Sequence, residues 1–356
     1  MFRFITIYFL EDYGLNQQEN NKIKFMNNDP IDLFAPLVPE DKLHPQFKAL
    51  RDSKFHIKAR QFINNIYNKM GDPNGNFMFK FQSEGFHARL FEIACYAYLN
   101  SIGAVCNRSF EKPDFMASIG NKTIAIEAVT ANPTKGQSLD ISLTQLKYIP
   151  FKKMEKKCID DFSIRMANIL EKKIRKKYWK LKHCKGKPLV FIVSPFFEPG
   201  SMYYVDMNLA TYLYGLVDEH EYNGRKITSG FFNKKNSEYV SAVVYCNQFT
   251  VPRFYRLSFS PQDISPISAA KREGYYLTTG SNFINLEKYE HDLKDPKSPI
   301  ETWWQGVTIF INPKANVPLP DGFLKSTSTF RVGNDGLLNQ IIHDFHPLTS
   351  FMFVAT

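Results

Sequence analysis

Residues 112–130 read KPDFMASIGNKTIAIEAVT and contain two short apolar runs separated by a Gly-Asn pair. Such a pair between alternating apolar residues predicts a β-hairpin, with its turn at Gly120-Asn121. Because side chains alternate between the two faces of a strand, Glu127 lies on the same face as Val129 and opposite the isoleucines. Asp114 opens the first strand, so the hairpin predicts that its carboxylate lies near that of Glu127.

The segments around this hairpin alternate between helical and strand patterns, which predicts an α/β fold with a mixed central sheet flanked by helices. They are a helix at 84–101 with Ser83 as its N-cap, strands at 104–107, 114–119 and 123–130, a basic helix at 161–181, and a buried strand at 188–196. Apolar runs at 239–246 and 306–313 predict strands that extend the same sheet.

Three segments are expected along the chain, all belonging to one extended domain, because no clear linker separates them. Residues 1–75 form an N-terminal arm and helix, residues 76–200 form the central α/β core, and residues 201–356 form a strand-rich α+β extension. The first ten residues, MFRFITIYFL, are apolar but too short to cross a membrane, and they predict a strand or packing arm.

The bulk composition favours a globular protein of the cytoplasm. Hydrophobic residues make up 44% and charged residues 22% of the 356 positions. The five cysteines include no CxxC pair, which argues against both a disulfide framework and a zinc site. No apolar run reaches the roughly 18 residues that a membrane helix needs, so no membrane partner is expected.

The positive charge is concentrated in one segment. The net charge is +10, and Lys147 to Lys187 contains 15 Lys or Arg residues against four acids. That segment therefore carries +11 and the rest of the chain −1. A local field of this size attracts a polyanion such as DNA or RNA. The alternative is an ordinary solvated face of a lysine-rich helix.

The carboxylates of Asp114 and Glu127 predict a metal site, since two such groups repel each other unless a cation lies between them. Oxygen ligands of this kind suit Mg²⁺ or Mn²⁺. Glu92, in the middle of the helix at 84–101, is a third candidate ligand. Its alternative role is that of a glutamate facing solvent.

The helix with Glu92, the Pro113-Asp114 pair and IEAVT at 126–130 together resemble the PD-(D/E)XK nuclease superfamily over residues 84–196. The resemblance implies an αβββαβ core of restriction-endonuclease type. It also implies Mg²⁺- or Mn²⁺-dependent hydrolysis of DNA phosphodiester bonds, with a role in bacterial restriction or anti-phage defence. In that reading Asp114, Glu127 and Glu92 hold the metal.

The sequence departs from the family pattern at Val129, where a lysine is expected. A valine cannot stabilise the charge that develops on a scissile phosphate. One explanation is a lysine supplied by the basic helix, with Lys173 the first choice and Lys177 the second. The other is a catalytically silent protein of the same fold that binds nucleic acid or a protein partner.

The partner implied by this reading is double-stranded DNA, although RNA and a homo-oligomer stay open. The basic residues expected to contact the nucleic acid are Lys172, Lys173, Arg175, Lys176 and Lys177.

Overall fold

The computed structural model describes the backbone of residues 5–9, 30–73, 75–131, 151–196, 200–259, 269–279 and 284–355. Its α-helices are α1 Pro45–Asp52, α2 Ile57–Met70, α3 Phe77–Gln82, α4 Phe86–Ser101, α5 Phe151–Lys156, α6 Phe162–Ile174, α7 Asp206–Tyr214 and α8 Val251–Ser258. Its strands are β1 Ile5–Phe9, β2 Val105–Asn107, β3 Phe115–Ile119, β4 Lys122–Thr130, β5 Leu189–Ser194, β6 Glu219–Tyr222, β7 Arg225–Thr228, β8 Ala242–Tyr245, β9 Ala269–Thr279, β10 Ile284–Asp292, β11 Thr308–Ile311, β12 Ser328–Val332, β13 Leu338–Ile342 and β14 Phe351–Ala355.

One large mixed sheet organises the fold. Among the described residues it has nine strands in the order β1-β13-β12-β11-β8-β5-β4-β3-β2. The hairpin strands β3 and β4 pair antiparallel, and β4 pairs parallel with β5, which pairs parallel with β8. Strands of the N-terminal, central and C-terminal segments thus lie in a single sheet, flanked by helices as the sequence predicts.

The central strand β5 shows why helices cover both faces of the sheet. All six of its residues are buried, and its five apolar residues alternate between two cores. Val190 and Ile192 pack in the core that contains α1 to α4 and α8. Phe191 and Val193 pack in the core that contains α6 and α7. The same alternation on β4 sends Ile126 toward α4 and turns the Glu127 face toward α6.

Two predicted boundaries are wrong. The basic helix expected at 161–181 begins at Phe162, directly after a π-helix at Lys157–Asp161, and ends at Ile174. It ends early because Lys177 adopts a left-handed conformation (φ 52°), which redirects the chain so that Tyr178 is buried. Ser83 does not cap α4. Ser83 follows the last residue of α3 instead, and its hydroxyl donates to the carbonyl of Phe79 within that helix.

Two smaller sheets complete the described fold, one of β9, β10 and β14 and one of β6 and β7. Within the described segments, no helix is both long enough and apolar enough to cross a membrane.

Candidate active site

A cleft of about 830 Å³ opens between α4, α6 and the hairpin of β3 and β4. Four carboxylates line it: Glu111 and the three that the sequence predicts as metal ligands, Glu92, Asp114 and Glu127. Basic side chains surround them: Lys80, Arg89, Arg108, Lys112, Lys172, Lys173 and Lys176. The cleft therefore combines an acidic centre with a cationic margin.

The hairpin places the first two acids side by side. Phe115 pairs with Ile126 in the β3–β4 register, so Asp114 and Glu127 occupy the next opposed positions. The Ala128 N–H donates to Asp114 Oδ2 at 2.8 Å, which fixes the Asp114 carboxylate against β4. Gly120 supplies the left-handed conformation (φ 57°) at the predicted turn, where a β-carbon would be strained.

Lys173 contacts the site from α6. Its Nζ donates to Glu127 Oε1 at 2.5 Å. The contact follows from helix periodicity, because Lys173 lies three residues after the buried Leu170 and on the same side of α6. Val129, which occupies the position of the missing lysine, is 2% exposed and packs in the same core as Leu170. The structure thus places a lysine amine beside Glu127 from another element.

Glu92 does not face solvent, since it is only 7% exposed. Arg89, one helical turn earlier, donates its Nη1 to both carboxylate oxygens at 2.8 and 2.7 Å. Arg108 Nη2 lies 3.7 Å from Glu92 Oε2. Two guanidinium groups therefore balance the charge of Glu92, and its role as a metal ligand stays a prediction.

The acids perturb one another. Burial, the negative charge of Glu92 and a hydrogen bond to that side chain raise the pKa of Asp114 to about 7, against the opposing effect of Lys173 and the Ala128 N–H. Burial and the charge of Asp114 raise the pKa of Glu127, and Lys173 offsets part of that rise. Near neutral pH, Asp114 is therefore close to its titration midpoint. A proton on Asp114 reduces the repulsion between the carboxylates, which is also what a bound cation would do.

The residues fit a divalent cation bound by two carboxylates. Glu127 Oε2 is buried and has no hydrogen-bond partner among the described residues. The Tyr178 hydroxyl is close enough to lower the pKa of Glu127, yet it is also buried without a partner in hydrogen-bonding geometry. A carboxylate oxygen left in this state is destabilising unless a ligand satisfies it.

The described part of the chain contains no group of three or more His, Cys, Asp or Glu side chains arranged to hold a metal ion. A cation here would thus take Asp114 and Glu127 and complete its coordination with water or phosphate oxygens, as Mg²⁺ commonly does.

The basic residues selected from the sequence divide into two sets. Lys172, Lys173 and Lys176 line the cleft. Arg175 and Lys177 do not line it, since the Arg175 side chain is 74% exposed and lies 3.6 Å from Glu171, and Lys177 follows the end of α6. The early end of α6 explains this division, because Lys177 no longer continues the helical face that carries Lys173.

Several residues of the cleft could not be selected from the sequence. Arg89 is the one that the sequence comes nearest to predicting, because a residue three positions from Glu92 on a helix lies on the same face. Arg108, Lys112 and Lys80 belong to segments that only the tertiary fold brings to the cleft. The burial of Tyr178 agrees with the apolar pattern of the basic segment, but its position beside Glu127 depends on where α6 ends and could not be predicted.

Comparison of the chain with models of known protein families, with curated proteins and with solved structures found no match. The functional assignment therefore depends on the geometry of the cleft and on the chemistry of its side chains.

Proposed function

We propose that this protein is a metal-dependent nuclease that hydrolyses phosphodiester bonds of DNA. The observation that carries the proposal is the position of Lys173, whose amine contacts Glu127 beside Asp114 although Val129 occupies the expected lysine position. Two acids and a lysine on one side of the sheet are the groups that such a reaction uses.

A core of restriction-endonuclease type is part of this proposal. The order α4, β2, β3, β4, α6 and β5 supports it, because it follows the αβββαβ order of that core. The five described cysteines form no disulfide, which is compatible with the proposed cytoplasmic location. Restriction or anti-phage defence is the biological role that this class of nuclease suggests.

Six residues of the cleft have a definite task in the proposed reaction. Asp114 and Glu127 would hold a Mg²⁺ or Mn²⁺ ion, which supplies Lewis acidity and lowers the pKa of a water molecule. An ammonium group has three donors, so Lys173 retains two after its bond to Glu127 and can orient water or a phosphate oxygen. Lys112, Lys172 and Lys176 provide phosphate contacts that do not depend on base sequence.

The alternative is a protein that binds nucleic acid without cleaving it. One observation favours this alternative: Lys173 already pairs with Glu127, and Arg89 already pairs with Glu92, so cations of the protein itself partly balance the acids.

A cleavage assay distinguishes the two functions. Plasmid, linear and single-stranded DNA are incubated with the protein in Mg²⁺, Mn²⁺ or EDTA. The nuclease hypothesis expects metal-dependent cleavage that falls by at least about 100-fold in Asp114→Ala, Glu127→Ala and Lys173→Met. Cleavage that survives the first two substitutions would remove the site, and binding without cleavage in any metal would favour the silent protein.

A matched pair of lysine variants tests the DNA-binding surface. Lys176 lines the cleft, whereas Lys180 is exposed and does not line it. We expect Lys176→Ala to weaken DNA binding for all sequences and to reduce the salt dependence by about one unit of slope. Lys180→Ala should bind as the parent does, and equal losses in both variants would contradict the assignment of the cleft.

A further inference from the structure

Phe110 lines the cleft and its ring stacks on that of His183, and this pair of rings has no role in the proposed hydrolysis. The ring centroids lie 3.8 Å apart with an interplanar angle of 8°. His183 Nε2 lies 2.9 Å from the Lys112 carbonyl oxygen, so a hydrogen bond fixes the imidazole under Phe110. We call this pair the aromatic platform.

The platform presents an aromatic face to the cleft. Phe110 is 37% exposed, and it is the only aromatic side chain among the described residues that line the cleft. Because His183 covers one face of the Phe110 ring, the accessible surface of Phe110 belongs to its other face and its edge. An apolar ring in a cleft lined mainly by charged residues is well placed for a flat ligand.

The platform lies close to the proposed reaction centre. Phe110 precedes Asp114 by four residues, which an extended chain spans in at most about 14 Å. The two residues are therefore separated by no more than the length of about four nucleotides of a stacked strand, at roughly 3.4 Å each. Lys112, Lys172 and Lys176 also line the cleft, and none of the three forms an ion pair with another described residue.

We infer that the aromatic platform stacks the base of an unpaired nucleotide, so that the substrate is single-stranded DNA or DNA with a locally unpaired strand. An unpaired base offers a free face to Phe110, whereas a base inside a duplex is already stacked on both sides. Stacking on an aromatic ring tolerates any base, and it adds to the sequence-independent phosphate contacts of the lysines. This inference rests on the proposed function, since it takes the cleft to hold nucleic acid.

Binding measurements test the platform directly. The affinities for a fluorescein-labelled oligothymidine and for a blunt duplex of equal length are measured by anisotropy, with Ca²⁺ in place of Mg²⁺. We expect Phe110→Ala to weaken binding of the single strand by about 5- to 150-fold and to leave duplex binding unchanged. Phe110→Trp, which keeps an aromatic face, should bind the single strand as tightly as the parent.

Two controls separate stacking from other effects. Phe353 is 53% exposed on β14 and does not line the cleft, so Phe353→Ala should bind both DNAs as the parent does. The salt dependence of binding should be the same in Phe110→Ala and the parent, because no phosphate contact is removed. The fluorescence of a 2-aminopurine base in the single strand should be quenched by the parent and not by Phe110→Ala.

The results distinguish this inference from the proposed function. If Phe110→Ala binds the single strand as tightly as the parent, or loses single-strand and duplex binding equally, the aromatic platform is refuted while cleavage can persist. If the parent binds neither DNA, both the platform and the nuclease proposal are refuted.

Discussion

Replacing Lys173 with methionine tests whether its contact with Glu127 organises the site in solution. Methionine keeps most of the length and apolar surface of the lysine stem but removes the cation. Glu127 would then keep a buried carboxylate whose Oε1 loses the Lys173 amine, while Oε2 already lacks a partner. We expect the Lys173→Met variant to be less stable than the parent at pH 8 in EDTA.

The burial of the two partners sets the size of the effect. Removing one partner of a fully buried ion pair costs about 3–5 kcal/mol, whereas exposed pairs contribute about 0.2–1 kcal/mol. The side chain of Glu127 is 6% exposed and that of Lys173 is 22% exposed, so the pair lies between these limits. The free energy of unfolding should therefore fall by about 2 kcal/mol.

A double-mutant cycle isolates the interaction. Urea unfolding is measured for the parent, Lys173→Met, Glu127→Gln and the double variant, in which no unpaired carboxylate remains at position 127. The double variant should be more stable than the sum of the two single effects predicts, by about 1–2 kcal/mol. Lys182→Met is the matched control, because Lys182 is exposed and its replacement should change stability by less than about 0.5 kcal/mol.

A coupling energy near zero would refute the reasoning, and so would a Lys173→Met variant as stable as the parent. Either result would mean that Glu127 and Lys173 do not interact in the folded protein, and the proposed replacement of the missing lysine would lose its basis.

Three further predictions follow from the pKa shifts and the buried charges. The pKa of Asp114 is about 7 in the folded protein against an ordinary value of 3.8, so the folded state holds the additional proton between these values and its stability falls as the pH rises through that window. Urea unfolding across pH 4 to 8 should show a steeper fall of stability in the parent than in Asp114→Asn, where the raised pKa of Glu127 still contributes to the fall. Because Mg²⁺ must displace that proton, its stabilising effect on thermal unfolding should be larger at pH 8 than at pH 5.5 in the parent and absent in Asp114→Asn. Burial would raise the pKa of Glu301, but three buried arginines led by Arg256 lower it to about 2, so Glu301→Gln should destabilise the protein by about 3–5 kcal/mol at pH 7 in urea unfolding.

The local elements of the site could be predicted from the sequence because their signals are local. The turn at Gly120-Asn121 and the alternation of β4 are determined by neighbouring residues, and the structure confirms both strands within one or two positions. The contact between Lys173 and Glu127 could be predicted from the sequence for a similar reason. Helix periodicity places it on the side of α6 that packs against β4, once the two elements are assumed to be neighbours.

The rest of the fold depends on pairings between distant parts of the chain. The parallel pairing of β1 with β13 joins residues more than 300 positions apart, and no local pattern specifies it. The end of α6 was predicted wrongly for a related reason. Lysines favour a helix and no Gly or Pro interrupts the segment before Gly186, so no local signal marks the left-handed Lys177 that follows the end of α6.

The contact between Lys173 and Glu127 bears on why position 129 can be a valine. If Val129 had simply decayed from a catalytic lysine, the acids would be expected to lose their burial and their cationic partner as well. Instead Asp114 and Glu127 keep raised pKa values, and Glu127 Oε2 is buried without a partner beside a lysine from α6. A buried carboxylate oxygen without a partner lowers the stability of the fold. In a protein that only binds nucleic acid, negative groups near the phosphates would also weaken the binding. A divalent cation bound between the two carboxylates would satisfy both of them and would supply the Lewis acid of the proposed reaction.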